Sequence, residues 1–236
     1  MNADDRPLVS LRAVLFDLDD TLHDKSANLR TFAAAQYGRS GLRALGVAAQ
    51  PWQAEYVALN NLRIAKTEVF ERLGSMFHLA PSLSRSLREE FDADSGHTTA
   101  PYPGVHQLLR LLRESGIKLG IVTNGRDRFQ RSKIEGMGIG GMVDVVLTSG
   151  GFGVKKPDLR IFLACLSALE VEPADATVVG DDLAADIEPA LALGMRAVWK
   201  SPRHSSRATF CSDSIDEICA YLLQPGPALH RPEAQR

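Results

Sequence analysis

What this sequence lacks narrows it first. It has three cysteines, Cys165, Cys211 and Cys219, and no two of them form a CxxC pair. That excludes a disulfide framework and a Cys-rich zinc site, and leaves the picture of small apolar residues kept reduced. Lys and Arg are scattered without a long basic run and the formal net charge is −2, so nothing electrostatic recommends nucleic acid or a membrane surface as a partner. No stretch approaches the ~18 consecutive apolar residues of a membrane span. The opening residues, MNADDRPLVS, are acidic and polar where a secretory leader is basic and then apolar, so a cytoplasmic location is expected.

What is present begins at LRAVLFDLDDTLHD. Residues 13–16, AVLF, look like the inside of a buried strand, yet Asp17, Asp19, Asp20 and Asp24 follow at once. Carboxylates that close repel one another and resist desolvation, so folding alone gives no reason to gather them at a strand end. Something must neutralise them.

Four later segments resemble this first strand: IKLGIVT (117–123), VDVVLTS (143–149), ATVVGDD (176–182) and MRAVWK (195–200). Between them run stretches of helical period at 104–115, 127–137, 157–169, 183–193 and about 213–223, two of them closed by Gly116 and Gly194. Strand alternating with helix predicts an α/β fold, a doubly wound parallel sheet covered on both faces. One interval is too long. A crossover needs some thirty residues, whereas about a hundred separate Asp17 from the next core strand. Residues 25–100 therefore hold a second, helical module, with helices expected at roughly 27–46, 51–73 and 83–95; YGRSG around Gly38 and Gly41 offers a break in the first. Inserted after strand one, at the sheet end where such folds bind ligands, this module is expected to act as a lid. Trp52, Tyr56 and Phe70 are assigned to its own core. Arg30, Arg39, Arg43, Arg63 and Lys66 are assigned mostly to its solvated face, one or two of them within reach of a substrate.

Four stretches at the strand ends carry polar groups that packing does not explain: Asp17 and Asp19; Thr123-Asn124-Gly125; Lys156-Pro157; and Gly180-Asp181-Asp182 with Asp186. Together they supply carboxylates for a hard divalent cation, a hydroxyl and amides for phosphate oxygens, and one ammonium. Asp17 and Asp181 suit magnesium, which takes oxygen ligands and bridges to phosphates. Singly each has a plainer explanation, since Asp and Asn-Gly are turn and cap formers. Their joint order is what favours a site.

FDLDDTL, TNG, KPD and VGDDLAAD also stand in the order and spacing of the four signature motifs of the haloacid dehalogenase superfamily, which the chain resembles from about residue 11 to 200; PYPGVHQLLRLLRESGIKLGIVTNG, with Gln130 and Lys133 after it, adds to the likeness. The resemblance implies a Rossmann-like catalytic core (1–24 and 101–224) and a small α-helical cap (25–100); the closing residues 225–236 have no periodicity and are expected to form a flexible tail. It implies Asp17 as nucleophile, Asp19 as general acid and base whose carbonyl ligates the metal, and Asp181 as a further ligand. Thr123, Asn124 and Lys156 would hold the phosphoryl group, with Lys155 as the rival lysine, while Asp186 and the less typical Asp182 would play supporting parts. The expected function is a magnesium-dependent phosphatase of a small phosphorylated metabolite, a monomer or homodimer, working through an aspartyl-phosphate. Dehalogenation of a 2-haloacid is disfavoured by Asp19, which dehalogenases replace. A phosphomutase is disfavoured by Asp20-Thr21, and a non-catalytic regulatory module by the intact motifs. His23 follows the first motif and is read as a packed or solvated histidine ahead of a leaving-group contact.

Overall fold

The computed structural model describes residues 11–62 and 64–224. Residues 1–10, the expected tail 225–236 and Arg63 lie outside the described residues. The chain divides into two compact units, one of residues 1–21, 103–124 and 142–236, the other of residues 22–102 and 125–141.

The first unit is built on six strands, β1 (Ala13–Phe16), β2 (Lys118–Thr123), β3 (Val145–Thr148), β4 (Ala176–Gly180), β5 (Arg196–Lys200) and β6 (Phe210–Ser212), in the order β3-β2-β1-β4-β5-β6. Every pairing is parallel. The chain runs outward from β1 to β3, returns to the other side of β1 and runs outward again, so the order reverses between β1 and β4. Five strands lie where the apolar, β-branched runs predict them. The sixth, Phe-Cys-Ser, is too short to leave a periodic signal and was not foreseen. All four residues of β1 are buried, as in a strand covered on both faces. On one face, helix α8 (Leu159–Leu169) presents Ile161, Phe162, Cys165, Leu166 and Leu169 to a core that includes Ala13, Leu15, Val122, Val178 and Ala197. That spacing is one face of a 3.6-residue helix, and its start is set by Asp158, whose carboxylate accepts from the Arg160 N–H at 2.9 Å. Helix α5 (Val105–Glu114) buries Val105, Leu108, Leu109 and Leu112 and packs with α10 (Ile215–Leu223). The short helices α7 (Ser149–Phe152) and α9 (Glu188–Ala192) complete the unit. All three cysteines are free, and only Cys165 is fully buried, so the apolar-core reading holds for one of them.

The second unit holds α1 (Lys25–Arg39), α2 (Ala49–Asn61), α3 (Lys66–Met76), α4 (Pro81–Asp94) and α6 (Asp127–Gly136). Trp52, Tyr56 and Phe70 sit in its core as expected, with the Tyr56 and Phe70 rings 5.7 Å apart at 87°. Two expectations change. The helix predicted at 51–73 is two helices, because Leu62 and Ala65 take extended backbone at a junction with no Gly or Pro to announce it. The Lys66 ammonium donates to the Asn60 side-chain oxygen at 2.7 Å and to its carbonyl at 3.3 Å, offsetting the carbonyl end of α2. Residues 125–141, which chain order alone assigns to the sheet unit, group instead with the helices: Phe129 lies against Phe91 with centroids 5.4 Å apart, and Arg126 pairs with Asp92 at 2.6 Å. Among the described residues no helix is long and apolar enough to cross a membrane.

The close approach of α8 to the sheet generates a test. A Cβ on Gly120 of β2 would stand 2.6 Å from Cys165 Sγ and 3.3 Å from Leu169 Cδ1. Gly120→Ala should therefore cost about 1–3 kcal/mol of stability in urea unfolding. Gly141→Ala, where nothing lies within 4 Å, should stay within about 0.5 kcal/mol of the parent. Equal midpoints for the two variants would contradict this packing.

Candidate active site

Register brings the site together. Phe16, the last residue of β1, stands opposite Ile121 of β2 and Val179 of β4, so the carboxyl ends of these three strands come level. Asp17 follows directly, its N–H donating to the Val179 carbonyl at 2.9 Å. Thr123 closes β2 as a buried residue, and Asp181 follows β4 half-buried. The turn after Asp19 is made by Asp20 in left-handed backbone, φ 59°, a conformation that Asp tolerates better than most residues.

Lys156 is the hub. Its side chain is only 3% exposed, and its ammonium donates to Asp17 Oδ1 at 2.5 Å and to Asp186 Oδ1 at 2.6 Å. Lys155 is exposed, so of the two candidate lysines it is Lys156 that enters the cluster. The loop bearing it is clamped: the Asn124 side chain donates to the Lys156 carbonyl at 3.1 Å and accepts from the Lys156 N–H at 2.9 Å. Asn124 thus spends its side chain on positioning the lysine, a task the sequence did not signal.

Asp186 lies on a single π-helical turn, Leu183–Ile187, and is almost wholly buried. Such turns re-aim side chains and are frequent at functional sites. It approaches the end of β4 so closely that a Cβ on Gly180 would come within 2.4 Å of its carboxylate oxygen, which explains a glycine there. Asp182 caps that turn, accepting from Ala184 and Ala185 N–H at 2.9 and 3.1 Å, while its own N–H donates to Asp186 Oδ2 at 3.2 Å. The Asp181 backbone is held by Trp199 at the end of β5, whose indole N–H donates to the Asp181 carbonyl at 2.8 Å. Trp199 was missed. Its sole trace in the sequence is an indole placed on a strand next to β4. His23 is buried and accepts from the Asn28 amide at its Nδ1, 2.9 Å away, as a packed histidine does.

One oxygen from each of Asp17, Asp181 and Asp186 lies within 4.8 Å of the others. Three carboxylates against one ammonium leave two negative charges in a desolvated place. The cost appears in their acidities. Burial, then the Asp186 and Asp19 charges, push Asp17 up to about 6 despite the opposing pull of Lys156. Burial, then Asp17, Asp186 and Asp20, push Asp181 up to about 7. The Lys156 ammonium is raised in turn, its desolvation outweighed by Asp17 and Asp186. All the side-chain donors are hard oxygens, so the set fits a divalent cation. The Asp19 side chain is outside this cluster, and Asp186, assigned only a supporting part from the sequence, is inside it.

The sequence matches the family described as haloacid dehalogenase-like hydrolase over residues 11–194. It is 34% identical to a phosphoserine phosphatase of Thermus thermophilus over 70% of this chain and 61% of that protein, so the match falls short of two thirds of that relative's length. It is also 34% identical to a glyceraldehyde 3-phosphate phosphatase of Pyrococcus abyssi, over 80% of this chain and 81% of that one. Among solved structures it resembles a HAD phosphatase from Thermococcus onnurineus, with TM-score 0.62 and 29% identity, covering 89% of this chain and 97% of that chain.

The electrostatics set a sign. A carboxylate whose folded pKa is raised contributes stability that is present below its unfolded value, near 4, and is lost as pH rises through about 6 for Asp17 and about 7 for Asp181. Metal-free protein should therefore lose urea stability between pH 4 and 7. Lys156→Met, which leaves the carboxylates without their cation, should lose about 3–5 kcal/mol more at pH 8. At pH 5 it should lose less, because the acids can take up protons. A deficit for Lys156→Met that is the same at both pH values would contradict the coupling.

Proposed function

The chain belongs to the haloacid dehalogenase-like hydrolases, and from that premise we propose that it is a magnesium-dependent phosphatase of small phosphomonoesters, working through an aspartyl-phosphate on Asp17. The observation that carries this reading is the buried Lys156 joining Asp17 to Asp186 at the end of β1, with Asp181 beside them.

Each residue then has a chemical task. Asp17 attacks phosphorus, forms the acyl phosphate and expels the alkoxide, dividing one difficult displacement into two. Asp19, two residues on along the chain, protonates that alkoxide and later takes a proton from the attacking water. Thr123 Oγ and the backbone amide of Asn124 donate to the transferring phosphoryl oxygens. Lys156 offsets their charge while fixing the direction of the Asp17 carboxylate. Asp186 holds Lys156 from the other side. Asp17, Asp181 and Asp186, with the Asp19 carbonyl, would hold the magnesium ion, which when bound neutralises the carboxylates and the phosphate dianion and so lets them approach. Asp19 stands against the dehalogenase reading, since the deacylation of a carboxylate ester needs no acid there. A small phosphorylated metabolite as substrate, a monomer or homodimer, and a cytoplasmic setting remain part of the proposal.

The test separates the two carboxylates. Asp17→Asn removes the nucleophile, and its rate should fall to the detection limit, because uncatalysed hydrolysis of phosphate monoesters is among the slowest known. Asp19→Asn keeps the nucleophile but cannot move a proton. With 4-nitrophenyl phosphate, whose leaving group needs no acid, its first step should partly survive and its second should stall. Mass spectrometry should then find phosphate on Asp17, releasable by hydroxylamine, in Asp19→Asn and never in Asp17→Asn. Phosphate on the Asp17→Asn protein, or undiminished turnover by Asp19→Asn, would reassign the roles.

A further inference from the structure

Helices α3 and α4 form a hairpin joined by residues 77–80, and a groove runs between them. Its volume is about 660 Å³, the size of a site for a whole small molecule. Every residue lining it falls between Thr67 and Arg88, so the groove belongs to this one hairpin. On α4 the lining positions are spaced i, i+3, i+4 and i+7 from Pro81, and on α3 they follow the same spacing from Thr67, so each set is one face of its helix. Such facing stripes ordinarily interlock through apolar side chains. Here they are mostly polar or small, while Leu73, Leu87 and Phe91 are given to the core of the unit. Packing of the hairpin gives no reason for that choice.

The groove is built around a close approach of the two helices. A Cβ on Gly74 would stand 2.3 Å from Ser84 Oγ, so the glycine leaves room for a hydroxyl on α4. Ser84 is 9% exposed and lines the groove, and among the described residues its hydroxyl has no hydrogen-bond partner. Buried hydroxyls are ordinarily paired, so this one calls for a partner from outside the chain. Beside it, Arg85 is exposed and among the described residues holds no ion pair, unlike Arg88, which donates to Asp92 at 3.0 Å. The N-terminus of α4 opens at the same end. Pro81 is its first residue, Ala80 makes no side-chain cap, and no acidic residue lies in the first turn. That leaves a partial positive charge one turn from Arg85. Joined by so short a turn, the helices run antiparallel, which puts Glu71 on the other side of the Gly74–Ser84 contact. At 1.5 Å per residue, Glu71 and Pro81 are about 9 Å apart along the groove. One end therefore presents donors to an anion, the middle a hydroxyl, and the other end a carboxylate that only accepts.

We propose that this groove binds a polyhydroxylated organic anion, with its carboxylate or phosphate on Arg85 and the N-terminus of α4 and its hydroxyls on Ser84 and Glu71. A sugar acid and a sugar phosphate share that chemistry, and an extended pentose or hexose derivative matches the spacing. The site lies wholly within the helical unit and does not rest on the phosphatase reading, since the carboxylate cluster around Lys156 takes no part in it.

The test is an amide NMR titration of the full-length Asp17→Asn protein with ribose 5-phosphate and, separately, with gluconate. The amides of Gly74, Ser75 and Ser84 should shift and saturate with at least one of the two, and which one does so tells phosphate from carboxylate. Arg85→Met should weaken that binding about tenfold or more, as loss of a charged hydrogen bond does, and Arg85→Lys should retain part of it. Ser84→Ala and Glu71→Gln should each weaken it measurably. Arg85 and Glu71 are exposed, so their substitution leaves the core untouched, and the amide spectrum itself reports whether each variant is folded. Ribose, which lacks the anion, and inorganic phosphate, which lacks the hydroxyls, should bind there much more weakly. No shift in the hairpin with either sugar anion, binding that Arg85→Met leaves unchanged, or equally tight binding of ribose or inorganic phosphate overturns the proposal. Shifts confined to the residues around Asp181 would assign the ligand to the carboxylate cluster and overturn it as well. Hydrolysis of 4-nitrophenyl phosphate is scored separately with Asp17 intact, and Arg85→Met should leave it unchanged. Saturable binding at the hairpin in a protein that hydrolyses no ester would defeat the phosphatase reading alone.

Discussion

Everything else at this site depends on one buried ammonium held between two carboxylates. Lys156 touches Asp17 and Asp186 at once, although the three residues come from the end of β1, the loop before α8 and the π-helical turn after β4. An unpaired charge in such a place would be strongly disfavoured, so the pairing ties these three separate segments together at one point. The supporting contacts follow from that demand. Asn124 clamps the lysine's backbone, Gly180 leaves room for Asp186, Asp182 caps the turn that carries it, and Trp199 holds the Asp181 carbonyl. One ammonium cannot offset three carboxylates. The remaining negative charge is what makes the cluster fit a hard cation.

Much of this was legible in the sequence because buried parallel strands are nearly continuous apolar runs, and a polar cluster ending such a run has few structural excuses. β1 through β5 and the convergence of Asp17, Asp181, Lys156 and Asp186 were readable on those grounds. What was not readable depends on individual contacts that no periodic pattern encodes. The junction at Leu62–Ala65 carries no Gly or Pro, and Lys66 reaches back to close it. Residues 125–141 follow a core strand yet join the helices, because Phe129 finds its partner in Phe91. Asn124 and Trp199 act through hydrogen bonds to backbone, which no side-chain pattern encodes.

The two units differ in what they are built from. The sheet unit carries the carboxylate cluster, in which Lys156 joins Asp17 to Asp186, Asn124 holds the lysine's backbone and Trp199 holds the Asp181 carbonyl. The helical unit carries a separate apolar core that includes Trp52, Tyr56, Phe70 and Phe91. Lys66 illustrates the economy of such a module. It ends a helix, lies over a ring and lines a cavity with a single side chain.

The central claim is that a divalent cation is bound by carboxylates that otherwise hold protons. With Asp17 near 6 and Asp181 near 7 in the metal-free protein, magnesium binding at pH 6.5 should expel roughly one proton per ion. The measurement is calorimetric titration of magnesium into metal-free protein in two buffers of different ionisation enthalpy, whose difference in apparent heat counts the protons released. One site with about one proton released at pH 6.5, falling toward none at pH 8.5, is the expected result. Binding with no proton release at pH 6.5, or no magnesium binding at either pH, would contradict it.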